Sequence, residues 1–289
     1  MPDYFGEALV KANKVWRDQP RNHDKVYASD ASVELLFDSE LGPEIQGACL
    51  RQQFYRIKEI KRSDLPTPKK NFVTKVGEAV HDKVTEVFQL AEMHHSEEAS
   101  FFDEELKISG RIDNIIDTED GLVGVEVKSI GGYYGCKGTI NVTNTTPLYP
   151  RLYHLTQAVV YLDKFSKTHG IRLWQILYID RESGDYREHD VVRLDESGQF
   201  LVNGEPASIQ PHKIYERWER LWEHVNADQL PKRDFTIQFD MPKLKLLLDR
   251  GKLNQKESKE VAKDKMITKG DAACGWCEWK TRCWTEDGA

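Results

Sequence analysis

Residues 123–128 read V-G-V-E-V-K, and two of them carry side chains that metal-assisted hydrolysis can use. Side chains alternate along a β-strand, so the three valines would face a core while Glu126 and Lys128 share the other face. A carboxylate in that position can hold a divalent ion, and a lysine beside it can position and activate the attacking water. The segment therefore predicts one carboxylate and one lysine of a hydrolytic site.

Asp113 supplies a second carboxylate from the preceding apolar run, and the Asp-Gly pair at 120–121 predicts a hairpin between the two runs. A two-residue loop at 119–120 pairs Asp113 with Glu126, and a loop at 120–121 pairs it with Lys128. Both registers leave the three side chains on one face. Two adjacent carboxylates are costly without a cation, which favours Mg²⁺ or Mn²⁺. The alternative for a Glu-x-Lys pair alone is a surface ion pair, which is the commoner case.

The five cysteines form a second pattern, C-x2-C-x5-C, at Cys274, Cys277 and Cys283. An iron–sulfur cluster needs four thiolates, so a fourth must come from elsewhere, and Cys49 is the candidate. Zinc is the competing metal, although zinc ribbons usually pair two short C-x2-C knuckles. Cys136 lies outside the pattern in a Gly- and Tyr-rich loop and is expected to be a free thiol. An odd number of cysteines does not suggest a disulfide framework.

The G-R-I-D segment at 110–113, followed by E-V-K at 126–128, resembles the PD-(D/E)XK signature of RecB-type nucleases. His81, in the segment G-E-A-V-H, matches the upstream helix histidine of that superfamily. Gln157 and Tyr161 match its downstream Q-x-x-x-Y helix motif, and they are four residues apart, so they share one helix face. The order and the intervals agree with the superfamily pattern.

The cysteine pattern resembles the iron–sulfur branch of the same superfamily, the RecB/Cas4-like nucleases, which includes Cas4 and the AddB and Dna2 nuclease domains. A single upstream cysteine precedes a helix with arginine and aromatic residues, and three cysteines close the chain. In one departure, Leu50 follows Cys49 where those families often have proline. The resemblance implies that one [4Fe–4S] cluster is bound by Cys49, Cys274, Cys277 and Cys283.

The resemblance also implies a role for each matching residue of the predicted active site. Asp113, Glu126 and His81 would bind the Mg²⁺ or Mn²⁺ ion, and the backbone carbonyl of Val127 would complete its ligand shell. Lys128 would orient the nucleophilic water and stabilise charge on the phosphate. The remaining two residues, which would contact that lysine or the DNA backbone, are Gln157 and Tyr161.

The elements that must position these residues follow from periodicity and turn residues. Two hairpins are predicted, at 106–128 and 171–193, with a loop at 131–150. Helices are predicted at 31–62, 72–91, 151–168, 211–229 and 243–265. The order indicates the α/β class, and the resemblance implies a restriction-endonuclease-like mixed β-sheet core flanked by helices. We expect a single nuclease domain over 1–289 with a core over about 71–195. An N-terminal helical part (about 1–70) contains Cys49, and a C-terminal helical part (about 205–289) contains the other three cysteines. The cluster would join these two helical parts.

Composition limits the classes of function. The 289 residues carry a formal net charge of −7, so a nucleic-acid groove would depend on local basic stretches such as 51–75 and 243–269. No apolar run is long enough for a membrane span, and residues 1–30 lack a secretory signal pattern. We therefore expect a soluble cytoplasmic protein with no membrane partner.

These features predict a metal-dependent deoxyribonuclease, most simply an exonuclease on single-stranded DNA in recombination, repair or CRISPR adaptation. A structure- or site-specific endonuclease and a non-catalytic DNA- or partner-binding module are the alternatives. No nucleotide-binding P-loop is present, so the chain is not itself a motor, although a helicase could be its partner. The loop also carries aromatic and basic residues that suit base stacking and phosphate contact, namely Tyr133, Tyr134, Lys137 and Tyr149. The equally good alternative is a structured loop with packed tyrosines.

Overall fold

The computed structural model describes residues 4–17, 23–31, 47–97, 99–141, 148–194, 197–207, 209 and 211–285. The chain divides into two compact units, and each is made of two chain segments. The first unit contains Met1–Ser32 and Pro66–Glu216, and the second contains Val33–Leu65 and Arg217–Ala289. The fold is mixed α/β. Across the described ranges, no helix combines the length and the apolar character that crossing a membrane requires.

Two β-sheets lie in the first unit. The seven-stranded sheet has the order β10-β9-β8-β7-β6-β5-β2, in which β6 and β7 are parallel and the other neighbours are antiparallel. Its strands are β2 His94–Glu97, β5 Asn114–Thr118, β6 Gly121–Ile130, β7 Leu173–Asp180, β8 Tyr186–Arg193, β9 Phe200–Val202 and β10 Glu205–Pro206. The three-stranded sheet has the order β1-β4-β3, with strands β1 Val26–Tyr27, β3 Ser100–Asp103 and β4 Ile108–Arg111.

Helices cover both faces of the larger sheet. The helices of this unit are α1 Tyr4–Arg17, a 3-10 helix Ala28–Ala31, α3 Pro68–Leu90, α4 Tyr133–Cys136 and α5 Leu152–His169. Val84 of α3 packs in one apolar cluster with the valines of β6, at positions 123, 125 and 127. The alternate side chains of β6 must face the opposite way, and Lys128 bonds Gln157 of α5. The central strand is thus buried between α3 and α5.

Close packing against α5 explains a glycine of the G-R-I-D segment. A Cβ atom at Gly110 would overlap the rings of Phe101 and Tyr161. Those two rings meet edge to face, with centroids 6.2 Å apart. Because Gly110 has no side chain, the ring of Tyr161 can pack against β4.

The second unit is helical and has its own apolar core. Its helices are α2 Leu50–Ile57, α7 Met241–Asp249, α8 Gln255–Val261, α9 Ala272–Gly275 and α10 Lys280–Thr285, and the boundary between the units falls within α6, Pro211–Asn226. Leu244, Leu247, Leu253 and Val261 form one buried cluster. Near the start of α2, Arg217 donates to the carbonyl of Ala48 at 2.9 Å, and Trp218 donates to Gln53 at 3.2 Å.

Most predicted elements agree with the structure. The helices at 72–91, 151–168 and 211–229 correspond to α3, α5 and α6, and the hairpin at 171–193 is formed by β7 and β8. Of the hairpin predicted at 106–128, only the part from Asn114 onward is formed, by β5 and β6, because residues 108–111 form β4 of the other sheet. The helix predicted at 31–62 includes α2, while residues 32–46 lie outside the described residues. The predicted division along the chain also differs from the observed units, because α1 belongs with the β-sheets.

The single helix predicted at 243–265 is wrong. The structure has α7 and α8 there, with Gly251 at a φ of 62° after the first helix. Asn254 caps the second helix in a capping box with Glu257. A glycine in the left-handed region ends the first helix, and a new N-cap begins the second. Both are helix-boundary signals that can be read from the sequence.

Candidate active site and cysteine cluster

The hairpin register decides where the first carboxylate lies. Thr118 pairs with Gly121 and Asn114 with Val125, so residues 119–120 form the loop. Of the two predicted registers, the structure therefore has the one in which Asp113 lies level with Glu126. Asp113 precedes β5, and its Oδ2 accepts a hydrogen bond from the backbone N–H of Val127 at 2.7 Å.

Glu126 is a buried carboxylate that is only half satisfied. Its Oε1 accepts hydrogen bonds from Lys128 Nζ at 2.6 Å and Gln157 Nε2 at 2.9 Å. Its Oε2 is buried without a partner among the described residues. Burial and the charge of Asp113 raise the pKa of Glu126 to about 7, although the nearby lysine acts in the opposite direction. This oxygen therefore lacks the partner that a buried anion requires.

His81, on α3, adds an imidazole beside the two carboxylates. Its Nδ1 lies 3.3 Å from Asp113 Oδ1. Burial lowers the pKa of His81, but the hydrogen bond and charge of Asp113 outweigh burial and leave the pKa raised. The imidazole would have to lose its proton before it could bind a metal ion.

Gln157 links the lysine to the rest of α5. Its Oε1 accepts from Lys128 Nζ at 3.1 Å, and its Nε2 also donates to Tyr161 OH at 3.3 Å. Tyr161 stacks on Trp174 with a centroid distance of 5.3 Å. The glutamine therefore fixes the lysine directly, while the tyrosine acts on it only through the glutamine.

The structure thus brings all the predicted active-site residues into one connected set, although their catalytic roles stay predictions. The donor set fits a hard divalent ion, because two carboxylates share the site and one buried oxygen is unpartnered. Within the described ranges, no three His, Cys, Asp or Glu side chains are already arranged around a single ion position. The ligand atoms would therefore have to draw together when an ion binds.

A cleft of about 360 Å³ opens beside this set. His81 and Asp113 line it, so one side of the site is accessible to solvent. The other residues that line this cleft are mostly polar and acidic, namely Glu78, Asp82, Thr85, Glu97, Arg111 and Ile112. Because three of these residues are carboxylates, a polyanionic substrate would need cations for its contacts.

Two further residues beside Lys128 were missed from the sequence. Tyr178 is its pairing partner on the parallel strand β7. His154 Nδ1 lies 2.8 Å from the hydroxyl of that tyrosine. His154 stands three residues before Gln157 on α5, and this spacing could have indicated it. The strand partner depends on the tertiary fold and had no sequence signature.

The second unit contains the four cysteines predicted to bind the cluster. Cys49 caps α2, Cys274 lies in α9, Cys277 follows it and Cys283 lies in α10. All four line one cavity, together with apolar and aromatic side chains that include Tyr55, Phe235 and Trp284. The four cysteines selected from the sequence therefore line the same cavity, and their role as ligands stays a prediction.

Burial and neighbouring groups raise the pKa of two thiols in this cavity. Burial, followed by the charge of Cys49, raises the pKa of Cys274 to about 12. Burial likewise raises the pKa of Cys277 to about 11, with Cys49 and Cys283 adding to the shift. Burial, followed by the charge of Asp234, also raises the pKa of Cys49. These thiols would have to lose their protons to bind a metal ion, and the metal itself stays a prediction.

Several N–H groups point at these sulfurs. Arg233 Nε lies 3.4 Å from Cys283 Sγ, and Arg51 contacts the same sulfur at 3.8 Å. The backbone N–H of Trp279 lies 3.4 Å from Cys277 Sγ. Such donors stabilise thiolate sulfur in iron–sulfur sites.

Cys136 is not among the residues that line this cavity. It is buried in the first unit, and burial raises its pKa. In the neighbouring loop, the side chains of Tyr133 and Tyr134 lie outside the described residues, so the predicted stacking surface stays a prediction.

No protein-family model matches the chain, and no curated protein is significantly similar to it. Among solved structures, the crystal structure of SSO0001 aligns with a TM-score of 0.42 and 16% identity, covering 80% of this chain and 89% of that chain. An alkaline exonuclease (LHK-Exo) from Laribacter hongkongensis aligns with a TM-score of 0.42 and 11% identity, covering 75% and 93%. Similarity at this level assigns neither a fold nor an activity to this chain.

Proposed function

We propose that this protein is a metal-dependent nuclease of the PD-(D/E)XK type, which hydrolyses phosphodiester bonds of DNA. One observation carries the proposal: Glu126 Oε2 is buried and unpartnered beside Asp113, with Lys128 bound to the other oxygen. A purely structural carboxylate would have partners for both oxygens. A site that binds a cation would explain both the unpartnered oxygen and the raised pKa of Glu126.

Each residue then has a task that follows from its contacts. Asp113, Glu126 and His81 would hold the Mg²⁺ or Mn²⁺ ion, with the Val127 carbonyl as a further ligand. When bound, the ion would supply Lewis-acid stabilisation of the phosphate and lower the pKa of a bound water. Lys128, freed from Glu126, would hold the attacking water and offset charge on the phosphate.

The substrate class and mode rest on the sequence resemblance. We infer an exonuclease that acts on single-stranded DNA, in recombination, repair or CRISPR adaptation, with a helicase or adaptation complex as its class of partner. A structure-specific endonuclease is the second candidate, since the same residues serve both. Labelled single strands, blunt duplex and circular DNA separate these modes, because an exonuclease leaves circles intact.

The function is tested by isosteric removal of each carboxylate. Asp113→Asn and Glu126→Gln should each reduce Mn²⁺-dependent cleavage by about a thousandfold or more while the protein stays folded, because the neutral amide no longer holds the ion. Asp117→Asn is the matched control, since Asp117 lies on the adjacent strand and pairs with His95 at the surface. Cleavage by the wild type in EDTA at its full rate would contradict the proposal.

We also propose that Cys49, Cys274, Cys277 and Cys283 bind one [4Fe–4S] cluster. The shared cavity and the N–H donors toward two of the sulfurs support this assignment. A bound zinc ion is the alternative, and metal analysis of protein purified without oxygen distinguishes the two. The cluster would be structural, because it lies in the helical unit with no predicted catalytic residue.

A further inference from the structure

A histidine that the proposed mechanism does not use lies beside Lys128. His154 is half-buried on α5, one turn before Gln157, and so faces the same side of the helix. Its Nδ1 lies 2.8 Å from the hydroxyl of Tyr178. Tyr178 pairs with Lys128 across the parallel strands, so the two side chains share one face of the sheet.

The hydroxyl of Tyr178 fixes the tautomer of this histidine. Tyr178 is fully buried, and its oxygen accepts the backbone N–H of Arg151 at 2.9 Å. The buried O–H needs an acceptor of its own, and His154 Nδ1 is the partner that the described residues provide. The imidazole proton must therefore reside on Nε2.

The surroundings keep the ring neutral. Burial, then the charges of Lys128 and Arg151, lower the pKa of His154 to about 2. Arg151 is itself held in place, since its guanidinium donates to Tyr153 OH and to the carbonyl of Gly135, both at 2.8 Å. The result is an oriented, uncharged N–H donor beside two cations.

We infer that His154 is a substrate-binding residue whose Nε2–H donates a hydrogen bond to a non-bridging oxygen of the DNA phosphodiester beside Lys128. An anion attracted by Lys128 and Arg151 meets this donor, and within the described residues Nε2 has no protein acceptor to give up. The inference rests on the proposed function and adds a contact to it. Tyr178 is the positioning residue, because it acts only through the histidine.

Two substitutions of one residue separate binding from packing. His154→Gln places an amide N–H near the former Nε2, whereas His154→Asn keeps an acceptor for Tyr178 near the former Nδ1 but has no donor toward the substrate. The measurements are kcat and KM for a labelled single strand with Mn²⁺, strand affinity in EDTA, and the melting temperature of each variant.

We expect the asparagine variant to lose about tenfold or more in kcat/KM and to bind the strand more weakly, because a hydrogen bond to a charged group is lost. The glutamine variant should retain most of both despite a lower melting temperature. The opposite ranking, or an asparagine variant with the wild-type KM and strand affinity, would overturn the inference while leaving the nuclease proposal intact. A wild-type protein that neither cleaves nor binds DNA would overturn both.

Discussion

At the scale of single residues, the site raises the pKa of two of its groups, a carboxylate and an imidazole. Glu126 is buried next to a second carboxylate, and the hydrogen bond and charge of that same carboxylate raise the pKa of His81 despite its burial. Both shifts favour the protonated form of the metal-free protein. Binding of a divalent ion must therefore release protons, and affinity for the ion depends on pH.

The sign of this dependence follows from the folded and unfolded pKa values. The pKa of Glu126 rises from 4.5 to about 7 on folding, so the folded chain binds more protons in that interval. The metal-free protein should therefore lose stability as the pH rises from about 4.5 to 7. The raised pKa of His81 adds stability below its ordinary value of 6.5, and this stability is also lost as the pH rises.

We therefore predict that Mn²⁺ raises the melting temperature more at pH 8 than at pH 6. At pH 8 the ion binds a site that has already lost its protons, whereas at pH 6 it must displace them. Thermal unfolding with and without Mn²⁺ measures the difference. Glu126→Gln should remove most of the Mn²⁺ effect at both pH values, and an unchanged effect in that variant would count against Glu126 as a ligand.

The ammonium group of Lys128 is fixed by hydrogen bonds to Glu126 and Gln157. Lys128→Gln should lower kcat by about a hundredfold or more and change DNA affinity little, because the lysine acts on developing charge at the reacting phosphate. Lys164→Gln is the control, since Lys164 is an ion-paired lysine of the same unit, 2.6 Å from Asp103. Equal losses of kcat and affinity would indicate simple phosphate anchoring.

At the scale of elements, the site depends on how closely α5 approaches the strands. The helix is buried along the face that carries Gln157 and Tyr161, and Gly110 leaves room for the tyrosine ring. A displacement of this helix would move the glutamine that holds Lys128. Activity should therefore respond to substitutions at positions that only pack against this helix, even when no predicted active-site residue is itself replaced.

Gly110→Ala should lower the free energy of unfolding by about 1–3 kcal/mol, because the new methyl group overlaps two aromatic rings. It should also reduce cleavage, since Tyr161 must shift. Gly77→Ala is the matched control: a Cβ atom there has no atom within 4 Å, and alanine favours a helix, so this change should stabilise by about 0.5–1 kcal/mol. Urea unfolding and cleavage rates check both variants.

At the scale of the whole molecule, the second unit assembles from segments far apart in the sequence. The N–H of Leu50 donates to Asp234 at 2.8 Å, and Trp279 Nε1 donates to the carbonyl of Ile60 at 2.8 Å. Hydrogen bonds thus already join the segment at Cys49 to the C-terminal segment. A cluster would add a metal link between the same two segments, and its binding free energy would contribute to folding.

We predict that Cys49→Ser removes the brown colour of protein purified without oxygen and lowers its melting temperature by several degrees. Limited proteolysis should then begin in the second unit, whose segments lose their link. Cys136→Ser should retain both colour and iron, because Cys136 lies outside the cavity. A colourless wild type with one equivalent of zinc would make this a zinc site.

The sequence by itself determined which residues meet in the candidate site and much of the secondary structure. Alternation along β6 placed Glu126 and Lys128 on the face opposite the valines, because side-chain direction in a strand depends only on parity. Helical spacing placed Gln157 and Tyr161 together for a similar local reason. The spacing of three cysteines, with one distant candidate added, selected four cysteines that line one cavity, while the cluster itself stays a prediction.

Only the tertiary structure decided the rest. The hairpin loop had two allowed positions, and the fold selected the one that sets Asp113 level with Glu126. The environment of His154 depends on Tyr178, a partner that comes from pairing between strands distant in sequence. The pKa of Glu126 likewise depends on burial and neighbouring charge. Local patterns fix which way a side chain points, but partners and burial arise from long-range packing, which no short stretch of sequence specifies.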